Sequence, residues 1–167
     1  MKRRLPIIGY RAWAPQAEPL RLIGVVKAVE WDPGEVVATC KVPGAHKLGR
    51  SHSAPAVDCA CGLHAYYTLE QVELDAGLPR GESLYGGLTP RPVRILGAVV
   101  GWGRMVMCVD GWRAQYARPV ALAYEERSAT LGRRIGGEYG VPVVARENLE
   151  RVAQEFGERY IRAGYAV

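Results

Sequence analysis

The stretch from Cys40 to His64, CKVPGAHKLGRSHSAPAVDCACGLH, holds three of the four cysteines and all three histidines of the chain. It constrains the fold more than any other segment. Pro43, Gly44, Gly49, Ser51, Ser53, Pro55 and Gly62 make it a poor helix and a poor long strand. A loop of this length with no core of its own needs another source of order, and soft ligands concentrated in one place point to a metal ion. Cys40, His52, Cys59 and Cys61 form the preferred set, three thiolates and an imidazole of the kind that closes a tetrahedron around structural Zn²⁺. His46 is the main competitor for the imidazole position, with His64 a further alternative.

Other uses of these cysteines stay open. Thiols are often plain buried hydrophobes, and two of them could pair as a disulfide. A bridge between Cys59 and Cys61, one residue apart, would be strained, whereas both thiolates can reach one ion. CxC is less diagnostic than paired CxxC, and the spacing fits no standard finger template. A site closed by four protein ligands has no position left for substrate, so the expected role of the metal is structural.

With 49% hydrophobic and 23% charged residues, the composition is that of a soluble globular protein with a real core. No apolar run approaches the roughly 20 residues that span a bilayer. MKRR resembles a charged leader, but LPIIGYRAW reaches Arg11 without an apolar core segment, so a cytoplasmic location and no membrane contact are expected. Reduced thiols in that compartment favour metal over disulfide. The net charge of +5 comes mostly from arginine, whose planar fork suits phosphate and carboxylate. An arginine excess from G- and C-rich coding DNA would look the same, because the arginines are scattered.

The rest of the chain predicts an α+β fold: a small twisted antiparallel sheet or partly closed β-barrel, with the zinc-stapled loop and C-terminal helices. GYRAW reads as a short strand ending in a turn at APQAEP, and LRLIGVVKAVEW as one well-buried strand, apolar on both sides. EVVATC continues as a strand that delivers Cys40. Thr68 followed by Gln71 is a capping box opening a helix with Leu69, Val72 and Ala76 on one face, and Gly77 and Pro79 stop it. RGESLYGGLTPRP is a loop. Asp110-Gly111 between VRILGAVVGWGRMVMCV and WRAQYARPVALAY predicts a hairpin. SATLGRRIGGEYG predicts a glycine-weakened helix with Leu131, Ile135 and Tyr139 on one face. RENLERVAQEFGERYIRAG predicts a final amphipathic helix, with Leu149, Val152, Ala153, Phe156 and Tyr160 inward and Glu147/Arg151, Glu155/Arg159 and Glu158/Arg162 paired outside. The division this implies is a β-rich, zinc-stabilised domain over 1–127 and a helical portion over 128–167 packed on it.

Gly-aromatic-Arg-Ala occurs twice, at Gly9-Tyr10-Arg11-Ala12 and Gly111-Trp112-Arg113-Ala114. The flanking strands run in opposite order, which argues against a tandem repeat, and each glycine is expected to permit a turn into a strand.

Two groups of these residues, Cys40, His52 to Pro55 and Cys59 to Ala65 in one, Gly101 to Arg104 and Gly111 to Pro119 in the other, resemble small, functionally uncharacterised bacterial and phage proteins. Those share a C…HxAP…CxCGxxA metal-site motif and a GWGR…GWRAxYARP hairpin. With GYRAW the resemblance covers about half the chain in scattered blocks and leaves out most of the tail after about Ser128. It implies that the Cys and His positions are ligands, favouring His52 over His46, and implies no particular activity.

Enzyme signatures are weak. A zinc deaminase would place Glu beside its histidine and use PCxxC, where this chain has Ser53 after His52 and CAC at Cys59 to Cys61. HExxH and phosphate-binding glycine loops are lacking. A Cys108–His64 nucleophile pair competes with Cys108 as a small buried hydrophobe in MVMCV. A binding module fits better, with nucleic acid as the favoured partner class. Arg11, Arg104, Trp112, Arg113, Tyr116 and Arg118, with Tyr10, Trp13 and Trp102 nearby, mix stacking surfaces with phosphate-pairing groups. Each aromatic could instead be core or rim packing. The rival is a protein-interaction subunit docking through the last helix or an edge strand.

Overall fold

A computed structural model describes residues 5–25, 29–41, 52–77, 93–124 and 126–160. The expected MKRR arm, the loop over 80–92, His46 and Arg162 lie outside the described residues. The strands are β1 (Ile7–Ala17), β2 (Leu20–Gly24), β3 (Glu30–Trp31), β4 (Val36–Val37), β5 (Leu63–Tyr66), β6 (Ile95–Met107), β7 (Gly111–Ala123) and β8 (Val143–Val144). The helices are α1 (Leu69–Gly77), α2 (Ala129–Tyr139) and α3 (Arg146–Ala153). The α+β expectation holds. Between the named strands pairing is antiparallel except where β8 runs parallel to β7, so the sheet is mixed, and an isolated bridge between Ile7 and Glu158 is parallel as well.

Asp110-Gly111 turns β6 into β7, and Cys108 N–H donates to Gly111 O at 2.7 Å. β6 pairs with β1, β7 with β6, β5 with β7, and Tyr10 of β1 faces Tyr66 of β5. Hydrogen bonding thus closes a ring through four strands. Trp112 fills it: the indole is 1% exposed and its Nε1–H donates to Ile8 O at 3.1 Å. A Cβ on Gly9 would lie 2.7 Å from the Trp112 Nε1 and one on Gly101 2.5 Å from its ring, so both positions need glycine for the strands to close on the indole. The first glycine of the Gly-aromatic-Arg-Ala echo therefore stands mid-strand and serves close approach, not a turn.

LRLIGVVKAVEW is not one strand. It folds back as β2 and β3, with Leu22 opposite Trp31 and Gly24 N–H donating to Val29 O at 2.8 Å. The fold-back falls inside a mostly apolar run in which Lys27 is the one charged residue between Gly24 and Val29, and that run has no proline or asparagine to mark a turn. β1 runs on through Ala14 to Ala17, and its turn comes at Glu18-Pro19. Among the described residues that extension of β1 pairs with β2 alone, so Pro15 does not break a second ladder there.

Thr68 and Gln71 form the capping box: Thr68 N–H donates to Gln71 Oε1 at 3.2 Å and Gln71 N–H to Thr68 Oγ1 at 3.3 Å. Leu69 and Val72 are buried; of Ala76 the side chain lies outside the described residues. Ile135 and Tyr139 of α2 join Trp13, Leu22, Trp31 and Leu122 in one core cluster, while Leu149, Val152 and Ala153 of α3 join Ile8, Tyr10, Val100 and Val120 in the other. The Tyr139 hydroxyl accepts from Leu22 N–H at 2.9 Å and donates to Trp31 O, tying α2 across the β2–β3 pair. α3 ends at Ala153, earlier than the apolar periodicity indicates. The chain then returns to β1, where Glu158 N–H donates to Pro6 O and Ile8 N–H to Glu158 O, both at 2.9 Å. Arg159 meets Glu150 at 3.1 Å rather than the Glu155 expected of a continuous helix.

Candidate metal centre

One edge of β7 is taken by β6. Along the other lie β5, opposite Gly111 to Ala114, and then β4, opposite Tyr116 and Ala117. The cysteine-rich loop leaves β4 and re-enters at β5, so its two ends are set side by side on one strand. Between them Gln115 O accepts from Ala38 N–H at 2.8 Å. This places Cys40, three residues past β4, near Cys59 and Cys61, just before β5. The strand expected over EVVATC is only Val36–Val37.

The ligand atoms of Cys40, His52, Cys59 and Cys61 all lie within 4.8 Å of one another. Around zinc, with Zn–S of about 2.3 Å and Zn–N of about 2.0 Å, a regular tetrahedron has S···S edges of about 3.8 Å and S···N edges of about 3.5 Å. Cys40 Sγ is 3.8 Å from Cys59 Sγ, and Cys61 Sγ is 3.4 Å from His52 Nε2. These four side chains lie close enough to hold one metal ion, and the set is compatible with zinc. All four cysteines are free, which removes the disulfide alternative for Cys40, Cys59 and Cys61 in this structure. Cys61 is buried, and Cys40, His52 and Cys59 are half-buried. His64 points elsewhere, its Nε2 3.2 Å from Ala60 O. Gly62 has φ of 118°, and a Cβ there would lie 2.9 Å from the Pro55 Cβ, so the chain leaves the CAC pair only through glycine.

The loop is also gripped by arginines. The Arg113 guanidinium, 8% exposed as a residue, donates through Nη1 to Ala56 O at 3.1 Å, to Cys61 O at 2.9 Å and to Cys59 O. Arg104 donates through Nη1 to Ser53 O at 3.0 Å, next to His52 in the chain. Arg11 donates through Nη1 to His64 O at 2.9 Å. The two arginines of the Gly-aromatic-Arg-Ala echo, one on β1 and one on β7, thus hold the segment that includes β5 from its two sides. Compared with known proteins, the chain matches no family model, no curated protein and no solved structure.

These placements split the residues expected to touch nucleic acid. Trp112 is ring core and cannot stack on a base without unfolding the ring. Arg113 is buried, with Nη1 turned to loop carbonyls, and Arg11 is half-buried with its Cζ 4.3 Å from the centre of the Trp31 ring. Alternation along a strand hid this, because Trp112 and Arg113 are both covered, one by the ring and one by the loop. Arg104 and Arg118 are exposed, and half-buried Tyr116 lies 6.1 Å from Trp102 in a stacked pair. Trp102 and Tyr116 are directly opposed, and Arg118, two residues on, shares their face. Cys108, expected to be buried, is exposed at the end of the hairpin, because β6 stops at Met107.

Among the described residues no helix is long and apolar enough to cross a membrane.

Proposed function

We propose that this protein is a non-enzymatic binding module whose loop is locked by a structural Zn²⁺ at Cys40, His52, Cys59 and Cys61, and that it contacts nucleic acid. The observation that carries the zinc reading is the match of the Cys40–Cys59 and Cys61–His52 separations to the edges of a zinc tetrahedron. Three thiolates and one imidazole leave no open position for water or substrate, which favours a structural over a catalytic ion. Such a set around Zn²⁺ carries one net negative charge, and the Arg113 guanidinium, reaching the loop from β7, has the sign to offset it.

The nucleic-acid reading rests on the net charge of +5 and on the outer face of the β6–β7 hairpin. There the stacked Trp102–Tyr116 pair sits with Arg118 on one face, and Arg104 reaches the metal loop. Stacking on an aromatic platform flanked by cations is how small β modules hold single strands. Fluorescence anisotropy with labelled single- and double-stranded oligonucleotides tests this. Binding is expected at low salt, falling steeply as salt rises and weakening when Arg104 and Arg118 are replaced by Ala. No binding of either form at low salt defeats the nucleic-acid reading and leaves the zinc reading standing.

Docking on a protein is the second reading, favoured by exposed Val57 and Val109, at 84% and 71%, on the metal loop and the hairpin tip. It predicts binding that depends little on salt.

A further inference from the structure

A cavity of about 580 Å³ opens between the strand ring, the β2–β3 pair and α1, within the size range of small-molecule sites. Val25, Val29, Trp31, Leu63 and Val72 give it apolar walls. Arg11 lines it as well. Its guanidinium carbon stands over Trp31, and among the described residues its one hydrogen bond is from Nη1 to His64 O. Nε has no hydrogen-bond partner, and among the described residues Arg11 makes no ion pair. A guanidinium takes a carboxylate in a fork, through two N–H groups on one edge, and Nε with Nη2 is the edge that His64 leaves unused. On the β2 side that edge meets Gly24, where even an added Cβ would stop 3.4 Å from Nη2.

We propose that this cavity binds a small organic monocarboxylate with a flat apolar body, its carboxylate bridging Nε and Nη2 of Arg11 and its body lying among Val29, Leu63 and Val72. Burial pulls the Arg11 guanidinium well below its ordinary range, down to about 9, so the group remains charged at neutral pH in surroundings that disfavour the charge. An anion on the free edge relieves that penalty. Asp75 and Asp110 line the cavity from α1 and the hairpin tip, and they disfavour a second negative group on the ligand, which sets dicarboxylates and nucleotides apart. The inference does not depend on the metal or on nucleic acid.

The test uses the full chain, titrated with benzoate, 4-isopropylbenzoate and indole-3-acetate and with their uncharged amides, followed by amide and arginine Nε–H chemical shifts. At least one acid should saturate with Kd below about 1 mM and shift Arg11 Nε–H, Gly24 and Leu63, and its amide should bind at least about tenfold more weakly. Arg11→Lys keeps the charge but loses the fork, and should weaken binding about tenfold or more. Val29→Trp fills the cavity and should abolish binding while leaving the oligonucleotide and metal behaviour unchanged, so it serves if the Arg11 variant fails to fold. The proposal is overturned if no acid perturbs these resonances up to about 10 mM, if acids and amides bind alike, or if folded Val29→Trp binds as the parent does.

Discussion

Trp112 and Arg113 are neighbours on β7, yet they belong to regions held together by different physics. Trp112 faces into the strand ring, where Gly9, Gly101, Ala65 and Ala114 are small enough to let the indole fit, and where shape and apolar burial provide the cohesion. Arg113 faces the cysteine-rich loop, which contributes little to either core cluster. There the visible cohesion comes from donors meeting backbone carbonyls, beside four Cys and His side chains close enough to hold one metal ion. The ring should therefore fold by its own packing, whereas the loop's order should depend on metal. One strand carries both, so damage to the ring should reach the loop, and damage to the loop should stop at the strand.

That asymmetry can be broken most forcefully at Trp112. Trp112→Ala empties the ring and should cost about 3–5 kcal/mol, as large buried aromatics do. Thermal unfolding monitored by circular dichroism should show the loss with or without chelator. A fall under 1 kcal/mol would mean that the ring is not the central support.

Next in size is Arg113→Met, which leaves the carbonyls of Ala56, Cys59 and Cys61 without this donor. Buried unsatisfied groups cost about 1–3 kcal/mol, and loss of an outer-shell partner lowers metal affinity about 10- to 100-fold. Competition with a chromophoric chelator reads the affinity, and hydrogen exchange should locate the loosening in 52–62 with β6 and β7 still protected. Uniform loss of protection would contradict the separation of the two regions.

Arg104→Ala should matter far less to stability, within about 1 kcal/mol, because its bond to Ser53 O is exposed to water. Its effect should appear in oligonucleotide affinity, as a reduced salt slope.

The smallest effect concerns neither region. Arg146 bonds Glu73 between α3 and α1 and holds the Glu73 carboxyl below its ordinary range, mainly through that hydrogen bond. A depressed folded value means stability that is present above the ordinary glutamate range and lost as pH falls through the folded value. Both side chains are more than about 30% exposed, so solvent screening limits the contribution to a few tenths of a kcal/mol. Glu73→Gln should flatten the acid limb of the stability curve by that much and leave neutral pH nearly unchanged.

The same contrast explains what could be read from residues alone. Local chemistry was legible. Thr68 and Gln71 announce a helix start and Asp110-Gly111 a hairpin by residue type and spacing, and Cys40, His52, Cys59 and Cys61 a cluster by their concentration in one stretch. The α2 face of Ile135 and Tyr139 follows from the helical period. Periodicity misled where a path bends inside a mostly apolar run. Val25 and Val29 flank the β2–β3 turn as apolar as the strands themselves. Phe156 packs on the core and Tyr160 stacks on Tyr67 at 5.0 Å, so the apolar rhythm of α3 continues after the helix has ended. The arginines were the hardest to read. Arg11, Arg104 and Arg113 look like a cationic surface in sequence, and only the strand order shows that they converge on carbonyls between Ser53 and His64. Trp112 was opaque for a related reason, since the glycines that receive it lie on β1 and β6.

The most direct test is zinc-edge X-ray absorption on protein purified without added metal, combined with metal counting. One zinc per chain with three sulfur neighbours and one nitrogen, becoming sulfur-poor in Cys61→Ser, is the result expected of a closed site at Cys40, His52, Cys59 and Cys61. A folded chain with no bound metal, or a shell rich in oxygen and unaltered by Cys61→Ser, would contradict it.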